Sequence, residues 1–181
     1  MNVLIGIIVV LVGIIVLFLI IGFFLKKDYT VGKEIIIDKS KPAVFEYLKF
    51  LKNQNKFNVW ASMDPDMKTD FTGTDGTEGF ISAWDSNNNK NVGKGEQEIV
   101  KIIDGERIDY EIRFLKPFKS TSYAYITTVA VDSNHTKVHW GFSGNMKYPT
   151  NLTLLFMNME KMIGGDLEKG LENLKAILEK A

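Results

Sequence analysis

The sequence predicts an α+β domain, a curved antiparallel sheet wrapped around one long C-terminal helix, preceded by one transmembrane helix. Three observations predict it. Val3 to Leu25 carries no charge and is almost wholly apolar. The middle of the chain is a succession of β-branched and alternating segments separated by Gly, Asp and Asn turns. After Pro149, apolar residues recur every three or four positions.

About 23 apolar residues at ~1.5 Å per residue make a helix of roughly 34 Å, enough for a ~30 Å hydrocarbon core. A cleaved signal peptide needs a basic leading region, a shorter apolar core and a small-residue cleavage site. Only Met1 and Asn2 precede this run, and Phe23-Phe24-Leu25 offers no such site. A buried core helix would show a polar stripe, which is missing. Residues 1–27 therefore read as an uncleaved anchor that meets the membrane through residues 3–25, and residues 28–181 as one further domain. Lys26, Lys27 and Lys33 follow the span and no basic residue precedes it, so the positive-inside rule places the domain in the cytoplasm. Glycosylation sequons at Asn134 and Asn151 would be silent there.

Tyr29 to Ile37 reads as a strand, β-branched and unbroken from Val31, and is closed by Asp38-Lys39-Ser40. Ser40 can cap a helix with Pro42 in its first turn, and Ala43, Val44, Tyr47, Leu48 and Leu51 give Lys41 to Leu51 one apolar face. A second turn through Phe57, Val59 and Trp60 ends before Asp64-Pro65-Asp66. Strands then follow at Met67 to Thr72, Gly79 to Trp84 and Val92 to Ile103, with the Asn87-Asn88-Asn89 cluster as a loop. Asp104-Gly105 signals a hairpin into Ile108, Tyr110, Ile112 and Phe114, which alternate with charged residues as in a half-buried strand. Tyr123 to Val131 and Thr136 to Met146 make a last hairpin. From Pro149, Leu152, Phe156, Met159, Ile163, Leu167, Leu171, Leu174 and Leu178 form one continuous helical stripe. Gly164-Gly165 and Gly170 interrupt that stripe at ~1 kcal/mol each, which points to close approach of the sheet or a slight kink.

All 22 basic and 22 acidic residues lie beyond the apolar run, and the net charge is zero. With no basic patch and little arginine, nucleic acid is excluded as a partner. The absence of cysteine excludes thiol chemistry and zinc–thiolate sites.

The order of elements resembles the START-like helix-grip superfamily, also called SRPBCC, and most closely its polyketide cyclase/dehydrase-type members. The resemblance is carried by Glu34-Ile35-Ile36-Ile37-Asp38 leading into Pro42-Ala43-Val44-Phe45-Glu46-Tyr47-Leu48, and by Trp60. Gly93-Lys94-Gly95-Glu96-Gln97-Glu98-Ile99, Arg107 to Phe114, Thr136-Lys137-Val138-His139-Trp140 and the terminal helix complete it. It spans Tyr29 to Ala181. It implies a cavity between sheet and helix that takes lipids, polyketides or other apolar molecules, in some members with cyclisation, and no shared catalytic motif.

The lining residues expected for such a cavity are Trp60, Phe80, Trp84, Tyr110, Phe114, Tyr123, Tyr125, Trp140, Phe142, Phe156, Met159 and Ile163; any one of them could equally be plain core. Met157, Met159 and Met162 suit an adaptable pocket or a gap-filled core. No catalytic residues, metal ligands or cofactor are predicted. His135 falls in a turn and His139 opposite Trp140, so both should face solvent. Asp64 and Asp66 flank Pro65 as turn residues. Glu96, Glu98, Glu111 and Arg113 can pair across neighbouring strands, and one such pair turned inward would supply a polar handle or a general acid. The leading expectation is a membrane-anchored, cytoplasm-facing binding protein for a lipid or other apolar small molecule. The alternatives are a cyclase-like enzyme, which needs a titratable group in the cavity, and an adaptor with an open apolar groove for a partner peptide.

Overall fold

The computed structural model describes residues 2–86 and 92–180. The Asn87-Asn88-Asn89 loop lies outside the described residues. An N-terminal helix α1 (Asn2–Phe24) leads into strand β1 (Asp28–Ile37), then helices α2 (Lys41–Lys49), α3 (Leu51–Phe57) and α4 (Val59–Ser62). Six strands follow: β2 (Lys68–Thr72), β3 (Ile81–Asp85), β4 (Lys94–Ile103), β5 (Arg107–Lys116), β6 (Ser120–Ala130) and β7 (Thr136–Asn145). A terminal helix α5 (Gly165–Lys180) closes the chain. All pairings are antiparallel, in the order β1-β7-β6-β5-β4-β3-β2, which is a helix-grip fold.

Burial of one sheet face explains the strand patterns. On β6, Ser122, Ala124, Ile126 and Thr128 point inward and alternate with the exposed or half-exposed Tyr123, Tyr125 and Thr127. Helix α5 lays Leu167, Leu171, Leu174 and Leu178 against this inner face, and together with Ile37, Val44, Ile99, Ile108 and Val138 they form the core. The Val3–Phe24 helix is long and apolar enough to cross a membrane, and its apolar window is not buried against the domain.

Two elements differ from expectation. The first helix stops at Lys49 because the Asp75 carboxylate accepts from the Leu51 and Lys52 N–H groups (2.8 and 3.2 Å). That carboxylate caps a new helix after the extended Phe50. The stretch after Pro149 is not one helix. It is a 3₁₀ turn (Thr150–Leu155), a π turn (Glu160–Gly164) and then α5. Asn151 explains the break: its buried amide donates to the carbonyls of Gly22 (2.7 Å) and Leu25 (3.4 Å), tying this segment to the end of α1. Leu152 packs on Gly22. The apolar residues of that segment thus continue the helical spacing while serving a different surface. The glycines divide likewise. Gly170 is a close approach, since a Cβ there would meet Trp140 Cζ3 at 2.8 Å. Gly164 sits in the π turn, and Gly165 has open space around it.

Strand direction sets the geometry of the whole domain. Strand β1 starts a few residues after α1, so the antiparallel partners place the ends of β7, β5 and β3 and the starts of β6, β4 and β2 on the α1 side. Buried Ile37, Ile108, Thr128 and Val138 lie toward the far side.

Candidate ligand cavity

A cavity of about 280 Å³ lies between the inner sheet face, α3, α4 and the start of α5. Its walls come from the α1-side strand ends: Tyr29, Trp84, Phe114, Ser122 and Phe142, with Trp140 deeper. Each aromatic is held by a local cause. Asn58 caps α4 by accepting from the Trp60 N–H at 2.9 Å, which sets Trp60 on the rim. Trp84 donates from Nε1 to the Val92 carbonyl (3.1 Å) and meets Phe114 edge-on at 6.0 Å. Gly95 leaves room for that indole, because a Cβ there would sit 2.5 Å from its Cζ2. Trp140 is braced edge-on by Phe57 at 5.6 Å.

The lining is mixed but uncharged. Gln97 Nε2 donates to Gln54 Oε1 at 2.8 Å across the wall, beside Asn55, Asn58, Ser82 and Ser122. Among the described residues Tyr29 is the single titratable group that lines the space. Burial pushes its phenol above the ordinary value, opposed by a hydrogen bond with Ser122, so it stays neutral at physiological pH. Tyr29 stacks on Phe142 (6.3 Å, 28°) and has a second neighbour outside. There it borders an open depression formed by Leu25, Lys26 and Leu154 to Met159 at the end of α1. Tyr29 therefore borders both the cavity and that depression.

Of the twelve residues expected to line a cavity, Trp60, Trp84, Phe114, Trp140, Phe142 and Ile163 do so. Phe80 and Tyr110 are fully buried core. Tyr123 and Tyr125 lie on the outer face, because strand β6 turns its even-numbered residues inward. Phe156 and Met159 border the outer depression.

The charged cluster also faces outward. Arg113 reaches Glu96 (2.5 Å), Glu98 (2.8 Å) and Glu111 (2.6 Å) together on the convex face, so none of the four offers a handle to the cavity. His135 is half-exposed and bonded to Asp132 (2.7 Å). His139 packs beside the Tyr125 ring on the outer face (5.4 Å). Asp64 is buried and accepts from the Ser86 hydroxyl (2.5 Å). Among the described residues no group of three or more His, Asp or Glu could hold a metal ion.

Residues 30–179 match the family model described as polyketide cyclase/dehydrase and lipid transport. The chain belongs to this family. Its fold recurs at low identity in solved structures. Norcoclaurine synthase from Thalictrum flavum, in complex with dopamine and hydroxybenzaldehyde, aligns at a TM-score of 0.62 and 8% identity, over 84% of this chain and 87% of that one. A solution structure of a protein from Thermobifida fusca aligns at 0.58 and 15%, covering 83% and 93%. The crystal structure of Ara h 8.0201 aligns at 0.55 and 12%, covering 85% and 99%. A search among curated proteins finds no match.

For this family member, sequence reasoning missed the polar wall of Gln54, Asn58, Ser82 and Gln97, and also Tyr29. Gln97 alternates with Gly95 and Ile99 on the inward side of β4, a signal that was available. Gln54 had none, because a glutamine on a short helix reads as surface.

Proposed function

We propose that this protein is a membrane-anchored binding protein whose cavity holds an apolar small molecule or a single lipid chain, with the domain on the cytoplasmic side of the membrane. One observation carries it: the cavity is walled by aromatic and uncharged polar side chains, with no carboxylate, ammonium or imidazole in its described lining. Burying an unpaired charge in such a space would be costly, so the favoured ligand is neutral where it enters. The volume lies at the lower edge of ligand sites, ~300–1,000 Å³, which suits one ring system or chain rather than a whole diacyl lipid. Gln54, Gln97 and Tyr29 would orient one polar end of the ligand. The apolar α1 supports anchoring, and Lys26, Lys27 and Lys33 support the cytoplasmic side. Lipid transport in the family description and the aromatic molecules in the norcoclaurine synthase complex are consistent with this ligand class.

The test is native mass spectrometry of the full chain released from nanodiscs. A co-purified apolar molecule is expected, and it should be lost in Ala124→Phe. Ala124 lies inward on the interior strand β6 and lines the cavity, so a phenyl ring there fills the space. A natural protein that carries nothing and takes up no apolar probe would overturn the reading.

A further inference from the structure

The two most exposed large apolar side chains outside α1 lie at the same end of the domain. Outside α1, Phe118 (83% exposed) and Phe156 (76%) exceed all others among the described residues, and Leu155 (49%) adjoins the second. Both phenylalanines lie on the α1 side. Phe118 tips the β5–β6 turn, whose flanking residues Phe114 and Ser120 pair at that end of the sheet. Phe156 and Leu155 border the depression at the end of α1, together with Leu25 and Lys26.

The junction with α1 is built, not loose. Asn151 donates to the Gly22 and Leu25 carbonyls, Leu152 packs on Gly22, and the Phe23 ring meets Tyr148 edge-on at 6.3 Å. The 3₁₀ segment thus packs against the last turn of α1, the turn at which a spanning helix leaves the hydrocarbon. The strand β1 that follows pairs at once, with Asn145 donating to Asp28 (2.6 Å) and the Met146 N–H to the Lys27 carbonyl (2.8 Å). Charge follows the β1–β7–β6–β5 part of this edge. Segments 25–28, 115–119 and 145–159 carry Lys26, Lys27, Lys116, Lys119 and Lys147 against one acid, Asp28, whereas the β2–β3–β4 part is mixed, with Asp66 and Asp85 beside Lys68 and Lys94.

Resting on the reading that α1 spans a bilayer, we propose that this edge of the domain is a second membrane contact. Phe118, Leu155 and Phe156 insert into the headgroup region beside the anchor, and the lysines around them face anionic lipid. Aromatic side chains at interfacial depth and lysines beside anionic headgroups are the arrangement such an interface favours. The domain then does not swing on a tether. It is seated with the Tyr29 end of its cavity toward the bilayer.

The chain has no cysteine, so single labels are clean. The full chain would be reconstituted in phosphatidylcholine vesicles containing phosphatidylserine, with an environment-sensitive fluorophore at one of Phe118→Cys, Phe156→Cys, Val131→Cys or Val12→Cys. Val131 follows β6 at the far end of the sheet and is 55% exposed, and Val12 lies mid-way along α1. Labels at positions 118 and 156 are expected to be quenched by spin-labelled lipid and shielded several-fold from aqueous iodide relative to position 131. Replacing both Lys116 and Lys119 by Glu should reverse the shielding at position 118. A lipid-buried label at position 12 with positions 118 and 156 as iodide-accessible as 131 overturns the seated domain and leaves the anchor standing. An iodide-accessible label at position 12 overturns the anchor and this inference together.

Discussion

Gly170 offers a direct test of how the helix grips the sheet. In α5 the substitution Gly170→Ala should add up to ~1 kcal/mol from helix propensity. The new Cβ, however, would stand 2.8 Å from Trp140 Cζ3. Carbon pairs prefer ~3.5–4.0 Å, so the indole must retreat by about 1 Å. Phe57 braces that ring, and the side left open is the cavity. Overpacking of this kind costs ~1–3 kcal/mol, which leaves Gly170→Ala neutral to about 2 kcal/mol less stable. Gly165→Ala is the control: its backbone is already helical (φ −61°, ψ −40°) and its Cβ meets nothing within 4 Å. It should gain ~0.5–1 kcal/mol. Thermal unfolding of the full chain in a mild detergent separates the two, since ~1 kcal/mol is ~2–4 °C in a domain of this size. Gly165→Ala should raise Tm by a few degrees, and Gly170→Ala should leave it unchanged or lower it. Gly170→Ala should also weaken retention of any cavity ligand, because Trp140 moves inward. Combining it with Trp140→Phe should recover stability beyond additivity. Equal rises in Tm for the two alanine variants would refute the role assigned to Trp140.

Two further outcomes are expected. Burial, reinforced by the charges of Asp75 and Asp109, pushes the Tyr110 phenol well above its ordinary value. The folded state keeps this proton where the unfolded chain releases it, so stability is intact below pH ~10 and falls by up to ~1.4 kcal/mol per pH unit above it. Denaturant unfolding from pH 8 to 11 should show that loss relative to Tyr110→Phe, and parallel profiles for the two proteins would dismiss the assignment. Tyr29→Ala should join the cavity to the depression at the end of α1, speeding exchange of a fluorescent apolar probe between protein and vesicles several-fold. Unchanged exchange would mean the Tyr29 ring is not the partition.

The sequence by itself determined the architecture. The uncharged run before Lys26, the alternation from Ile108 to Phe114 and the leucine stripe from Leu167 to Leu178 are all patterns of period or length, and such patterns follow from burying one face of one element. It also determined which residue classes can take part in chemistry. Tertiary structure alone decided which aromatics meet in a cavity, because the inward side of β6 depends on a register fixed by its partners. Tyr123 and Tyr125 look like Trp140 and Phe142 until that register is known. Only the fold could bring Gln54 to Gln97, or divert the residues after Pro149 from one helix into a clasp on α1. Asn151 reads locally as a sequon, yet its amide bonds to Gly22, a residue far away in the chain. Contacts of that separation leave no periodic trace, and here they place the cavity at the end of the domain nearest the apolar helix.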